Sequence, residues 1–148
     1  MFEGLSLGTP IAMLVRNTDQ RSKDYDTLKD VFRPGHADYA YFEKYGLRDH
    51  RGGGRSSGRE TVGRVAAGAL AKAALGTVGV HIVGGTVQVA GVVAKQRDWA
   101  QVELNPVRCP DADAARLMQT TIERARDERD SVGGVVEVVA RGVPAGWG

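Results

Sequence analysis

The chain has 148 residues, enough for one domain with a real core, and its 42% hydrophobic and 26% charged content is that of an ordinary globular protein. A formal net charge of +2 is too small to imply a nucleic-acid partner. One cysteine, Cys109, excludes an internal disulfide; with no apolar run near the roughly 18 residues of a membrane span and no basic-then-apolar start, the expectation is a cytoplasmic protein with no membrane partner.

In chain order, "LGTPIAMLV" (7–15) predicts a buried strand, with Pro10 near its start where a missing donor is tolerated. A polar, two-signed loop follows. The stretch "VFRPGHADYAYFEKYGLRDH" has no clean period; Pro34-Gly35 is a turn signal, Arg33 is pushed toward extended backbone by the proline, and Phe32, Tyr39, Tyr41, Phe42 and Tyr45 cluster there. Residues 57–75 read as a helix started by a capping-box spacing, Ser57 to Glu60. Its alanine-rich interior, with Gly63 and Gly68, predicts a helix packed closely on all sides. Residues 77–94 read as two β-branched strands turning at Gly84-Gly85. Asp111 is placed to cap a helix over 112–130 whose apolar face carries Ala114, Leu117, Met118, Ile122 and Ala125. Cys109 reads as structural filler, and "VGGVVEVVARGVPAGWG" as a last strand entering a turn. No internal repeat is present.

Charge is concentrated locally: residues 48–64 carry Arg48, Arg51, Arg55, Arg59 and Arg64 against Asp49 and Glu60. Within this run lies "RGGGRSSGRE" (51–60). A helix start offers unpaired N–H groups and about half a positive charge, and a glycine-rich turn lets that backbone approach an anion. Arginines add forked, charge-assisted bonds to phosphate or carboxylate. The stretch therefore suits a phosphorylated or multiply anionic ligand. A solvated flexible loop ahead of a capped helix is the alternative, and ten residues do not choose between them. The lysine and spacing of a Walker loop are absent.

His36, beside Arg33, is the candidate proton donor, with a turn histidine in a "PGH" bend as the other reading. His50 neighbours Arg51 and reads as a second contact or an exposed residue; His81 alternates with apolar residues in a strand. The three histidines have no metal-ligand spacing, and no serine–histidine–acid order stands out, so neither a metal nor a hydrolase triad is expected.

"NTDQRSKDY" (17–25), "FRPGHADYAYFEKYGLRDHRGGGRSSGRETVGRVAAG" (32–68) and "GVPAG" (142–146) resemble chorismate synthase. "MFEGLSLGTPIAMLV" is similar to the strand that precedes these motifs in that family, and 76–141 match more loosely, in element order and in pieces such as "DWAQVELNPVRCPD". Gly58 stands where the family usually has alanine, which weakens that helix start. The resemblance implies an α+β fold: part of a β-α-β sandwich with antiparallel sheets around central helices, in a homotetramer. It makes residues 1–148 a single, partial core without the family's N-terminal "GESHG" segment and C-terminal half, and so implies no turnover by these residues alone.

The reaction implied is a 1,4-elimination of phosphate from 5-enolpyruvylshikimate 3-phosphate, giving chorismate on the route to aromatic amino acids. It needs reduced FMN without net redox change. By resemblance His36 protonates the reduced flavin, Arg55, Ser56 and Ser57 contact FMN, and Arg33 and Arg59 lie near the substrate anions. Whether the flavin is reduced by a partner or with NADPH stays open. The alternative from another class is a non-catalytic remnant that binds flavin or a partner subunit. An arginine–glycine nucleic-acid binder stacking bases on the aromatics at 39–45 is a distant third, and no nucleic-acid partner is expected.

Overall fold

A computed structural model describes residues 2–18, 21–51 and 57–147. The chain divides into two compact units, Met1–Ala71 and Lys72–Gly148.

In the first unit, the expected strand over 7–15 does not form. The segment has no regular structure, the only bridge near it among the described residues pairs Phe2 with Leu5, and Leu7, Leu14 and Val15 are well exposed. An extended apolar run becomes a strand only when its N–H and C=O groups find a neighbour, and among the described residues none pairs with it. A 3-10 turn, Ser22–Leu28, leads to the Pro34-Gly35 bend. Gly35 has φ +70° and the His36 N–H donates to the Arg33 carbonyl at 3.2 Å, the arrangement a proline–glycine pair favours. The periodless aromatic stretch contains a short helix, α1 (Asp38–Tyr45). It ends on left-handed Gly46, whose N–H donates to the Phe42 carbonyl at 2.7 Å. Phe32 packs between Tyr39 and Phe42, at ring-centre distances of 5.5 and 5.4 Å.

The long helix is capped at Ser57 as expected, but the cap serves a 3-10 turn and the α-helix itself starts only at Thr61. The Ser57 hydroxyl accepts from the Arg59 N–H, a 3-10 turn spans Gly58–Glu60, and α2 follows (Thr61–Gly76), crossing from the first unit into the second. Its expected close packing is not observed: no α2 residue is buried, and Val65 is 71% exposed. Small residues permit close packing but do not supply the partner surface.

The second unit holds a three-stranded antiparallel sheet of order β2-β1-β3, with β1 at His81–Val89, β2 at Val92–Val93 and β3 at Gly134–Arg141. β1 pairs with β3 from His81↔Arg141 to Val89↔Gly134, with a bulge between Thr86 and Gln88. The hairpin expected at Gly84-Gly85 is instead at Ala90-Gly91, where Ala90 takes φ +48°. Gly84 and Gly85 lie inside β1 because of crowding: a Cβ on Gly84 would meet Val138 at 3.2 Å, and one on Gly85 would meet Val102 at 3.0 Å.

The helix α3 (Ala112–Asp127) packs over β1 and β2. Val87, Val89, Ala94, Cys109, Ala114, Ala115 and Met118 form the core, so Cys109 is structural filler as read. The buried face of α3 is Ala114, Ala115, Met118 and Ala125, while Leu117 and Ile122 are exposed. Asp111 caps the helix through the Asp113 and Ala114 N–H groups, and its second oxygen accepts from Lys95 and Gln96 at 2.9 and 3.1 Å. The α+β class stands: helices with a small antiparallel sheet.

Candidate functional site

The Pro34-Gly35 bend folds Arg33 and His36 back onto the first residue of α1, Asp38. Its carboxylate is 2% exposed. Asp38 Oδ2 accepts from Arg33 Nε at 2.8 Å, the Arg33 N–H at 3.2 Å and Arg48 Nη1 at 2.8 Å. Oδ1 accepts from Arg33 Nη2 at 2.9 Å and stands 2.8 Å from His36 Nδ1. The forked guanidinium of Arg33 holds the Asp38 carboxyl well below the usual carboxylate range, against the opposing effect of burial, and Asp38 in turn raises Arg33. Arg48 ties the cluster to the preceding loop: its Nη2 donates to the carbonyls of Leu28, Lys29 and Val31 at 2.6, 2.8 and 2.7 Å, and its guanidinium lies 5.2 Å from the Phe32 ring centre.

Two clefts open on the first unit. One, of about 440 Å³, is lined by Arg48, Phe32, Phe42, Leu47, His50 and Lys29 among others. The other, of about 330 Å³, is lined by Val15, Arg16, Asn17, Thr18, Arg59 and Val62. It brings two arginines together with an amide and a hydroxyl, and among the described residues no carboxylate lines it, a donor-rich setting for an anion.

Of the residues expected from sequence, Arg33 and His36 meet at one carboxylate, and Arg59 lines the second cleft. Ser57 caps the turn before α2. Arg55 and Ser56, with glycines 52–54, lie outside the described residues. Arg51 grips Asp49 through Nε and Nη2 at 2.8 and 3.0 Å, holding that carboxyl down to about 2. His50 lines the larger cleft, and His81 opens β1 on an exposed position. Among the described residues no group of histidines, cysteines and acids is arranged to hold a metal.

Sequence reasoning missed Asp38, Arg48 and Arg16. Asp38 had a usable signal: an acid five residues after Arg33, across a Pro-Gly bend that returns the chain on itself. Arg48 had only its place in a charge run, and its three-carbonyl grip depends on where the 22–28 turn ends.

A chorismate synthase family model matches residues 1–148. The chain is 60% identical over all its residues to the chorismate synthase of Chloroflexus aggregans and 57% identical to that of Chloroflexus aurantiacus. The chorismate synthase of Methanosarcina acetivorans is 54% identical across the whole chain. The chain spans about 41–42% of the length of these relatives. A crystal structure of chorismate synthase superposes with a TM-score of 0.64 at 30% identity, over 73% of this chain and 37% of that one. A match along the whole chain and this degree of identity together make the conclusion plain: the chain belongs to the chorismate synthase family.

Proposed function

We propose that this chain is part of an enzyme that eliminates phosphate and a hydrogen from 5-enolpyruvylshikimate 3-phosphate to give chorismate, with reduced FMN bound. The observation that carries the reading is the family match along all 148 residues. The cluster at Asp38 supports it. Arg33 keeps Nη1 without a hydrogen bond among the described residues while Nε and Nη2 hold Asp38, so one edge of a fixed guanidinium is left for a substrate anion. His36 is about a quarter exposed and is held at Nδ1, which leaves Nε2 to exchange a proton. The cleft at Arg16 and Arg59 suits a second anionic group.

The donor chemistry also fits the flavin. Arginine and hydroxyl donors at Arg55, Ser56 and Ser57 would hold FMN, and cations around His36 would favour an electron-rich ring. When bound, reduced FMN supplies electron density for a reaction with no net redox change. This chain's residues do the rest: Arg33 and Arg59 orient the anions, and the protonated His36 gives up a proton from Nε2. The full-length protein is read as a cytoplasmic homotetramer acting on a small molecule.

The test is an anaerobic assay of a protein of the relatives' full length that carries this segment, with reduced FMN. Chorismate and phosphate should appear in equal amounts. FMN binding without either product would overturn the reading and leave a non-catalytic flavin-binding module.

A further inference from the structure

We propose that Asp38 is a positioning residue: it fixes His36 in the tautomer with the proton on Nδ1, which makes Nε2 the nitrogen that exchanges a proton. This rests on the functional reading of His36, and it adds a residue that nothing about the reaction by itself requires.

His36 Nδ1 stands 2.8 Å from Asp38 Oδ1 and 3.2 Å from Arg33 Nη2. Two arrangements satisfy those distances in principle. In one, Nδ1 carries a hydrogen and donates to Asp38. In the other, Nδ1 is bare and accepts from Arg33, with its lone pair facing a carboxylate at hydrogen-bond distance. The second sets two acceptors against each other in a site where the carboxylate is almost wholly shielded from water. The first gives Oδ1 two converging donors, His36 Nδ1 and Arg33 Nη2, at 2.8 and 2.9 Å. Their 3.2 Å separation follows from sharing one acceptor. The carboxylate stays charged because Arg33 grips both its oxygens and Arg48 grips Oδ2. Arg48 is itself anchored by three carbonyls, so the acceptor facing His36 is fixed before any ligand arrives. A histidine whose second nitrogen is held by a carboxylate has its tautomer and ring orientation set by that contact.

The experiment is long-range 1H–15N correlation of the ring nitrogens in the 148-residue chain, recorded with neutral rings. His36 is assigned by the signal lost in His36→Gln. The parent should show the Nδ1–H form in excess by at least about tenfold, the least expected from one charge-assisted bond. Asp38→Asn should reduce that excess by about tenfold, and Arg48→Lys should leave it in place. A parent ring with its proton on Nε2 overturns the proposal even if Asp38→Asn fails to fold. An unchanged tautomer ratio in folded Asp38→Asn overturns it as well. In the full-length enzyme Asp38→Asn should lower kcat, and lower it far less in the His36→Ala background, while any rise in KM reports its separate hold on Arg33. An equal kcat loss in both backgrounds would mean that Asp38 acts through another group, which contradicts the assignment. The tautomer measurement uses neither flavin nor substrate, so it succeeds or fails independently of the turnover reading.

Discussion

The carbonyl oxygen of Arg108 lies 2.7 Å from where a Cβ on Gly85 would sit. The same carbonyl accepts the Thr86 N–H at 2.9 Å, so it is anchored and cannot give way. Gly85→Ala should therefore destabilise the second unit by about 1–3 kcal/mol, the usual cost of overpacking. A Cβ on Gly58 would meet nothing within 4 Å among the described residues, and Gly58→Ala should gain about 0.4–1 kcal/mol by restricting the unfolded chain. Urea unfolding followed by tryptophan fluorescence for the first variant and by helical circular dichroism for the second checks both. Equal midpoints for Gly85→Ala and the parent would contradict the crowding.

That contact also shows what the sequence could and could not disclose. A glycine pair between β-branched runs looks the same whether the chain turns there or another segment crosses it. Only the Asn105–Pro110 segment folding onto β1 decides, and it is distant in sequence. The capped starts at Ser57 and Asp111 were legible because a cap is a local hydrogen bond between near neighbours. The strand over 7–15 was not, because pairing needs a partner that composition cannot name. At the site, Arg33, His36 and Arg59 could be picked out from residue type and family motif. Asp38 offered only its spacing from Arg33 across the Pro-Gly bend, and its importance comes from burial under two arginines that meet only after α1 has formed.

Met118 and Leu117 are adjacent on α3 and should respond oppositely. Met118 is fully buried in the core, and Met118→Ala should cost about 2–5 kcal/mol. Leu117 is 60% exposed, and Leu117→Ala should stay within about 0.5 kcal/mol. Denaturant midpoints of the two variants test the observed face of α3 against the one its leucine suggests.

Acid should loosen the first unit through Asp38. Its carboxyl is held below the ordinary range chiefly by the Arg33 guanidinium. A depressed carboxyl stabilises the fold above its unfolded value of about 3.9 and loses that contribution as pH falls further. Asp49, lowered to about 2 by Arg51, acts in the same direction but is exposed and contributes little. All four tyrosines lie in the first unit and both tryptophans in the second. The near-UV tyrosine signal should hold at pH 5 and fall below about pH 4, while Asp38→Asn should already be weakened at pH 7. Parallel pH profiles for parent and variant would contradict the assignment.

The glycine–arginine stretch is expected to hold an anion. In a full-length protein carrying this segment, Arg55→Ala should weaken FMN binding about 10- to 150-fold, the equivalent of one charge-assisted contact. Arg55→Lys should recover only part, since lysine has no fork. Arg59→Ala should raise the KM for the phosphorylated substrate, and Arg64→Ala, inside α2, should do little to either. Fluorescence titration with FMN and steady-state kinetics separate these effects. An Arg55→Ala protein that binds FMN like the parent would remove residues 55–57 from the flavin site.

The most direct test of the account is turnover by His36→Ala in that full-length protein, under anaerobic conditions with reduced FMN. Loss of a positioned proton donor predicts a fall in kcat of roughly 100-fold or more, with KM and flavin binding changed far less. Near-normal turnover with flavin bound would contradict the central claim and leave His36 as a turn residue held by Asp38.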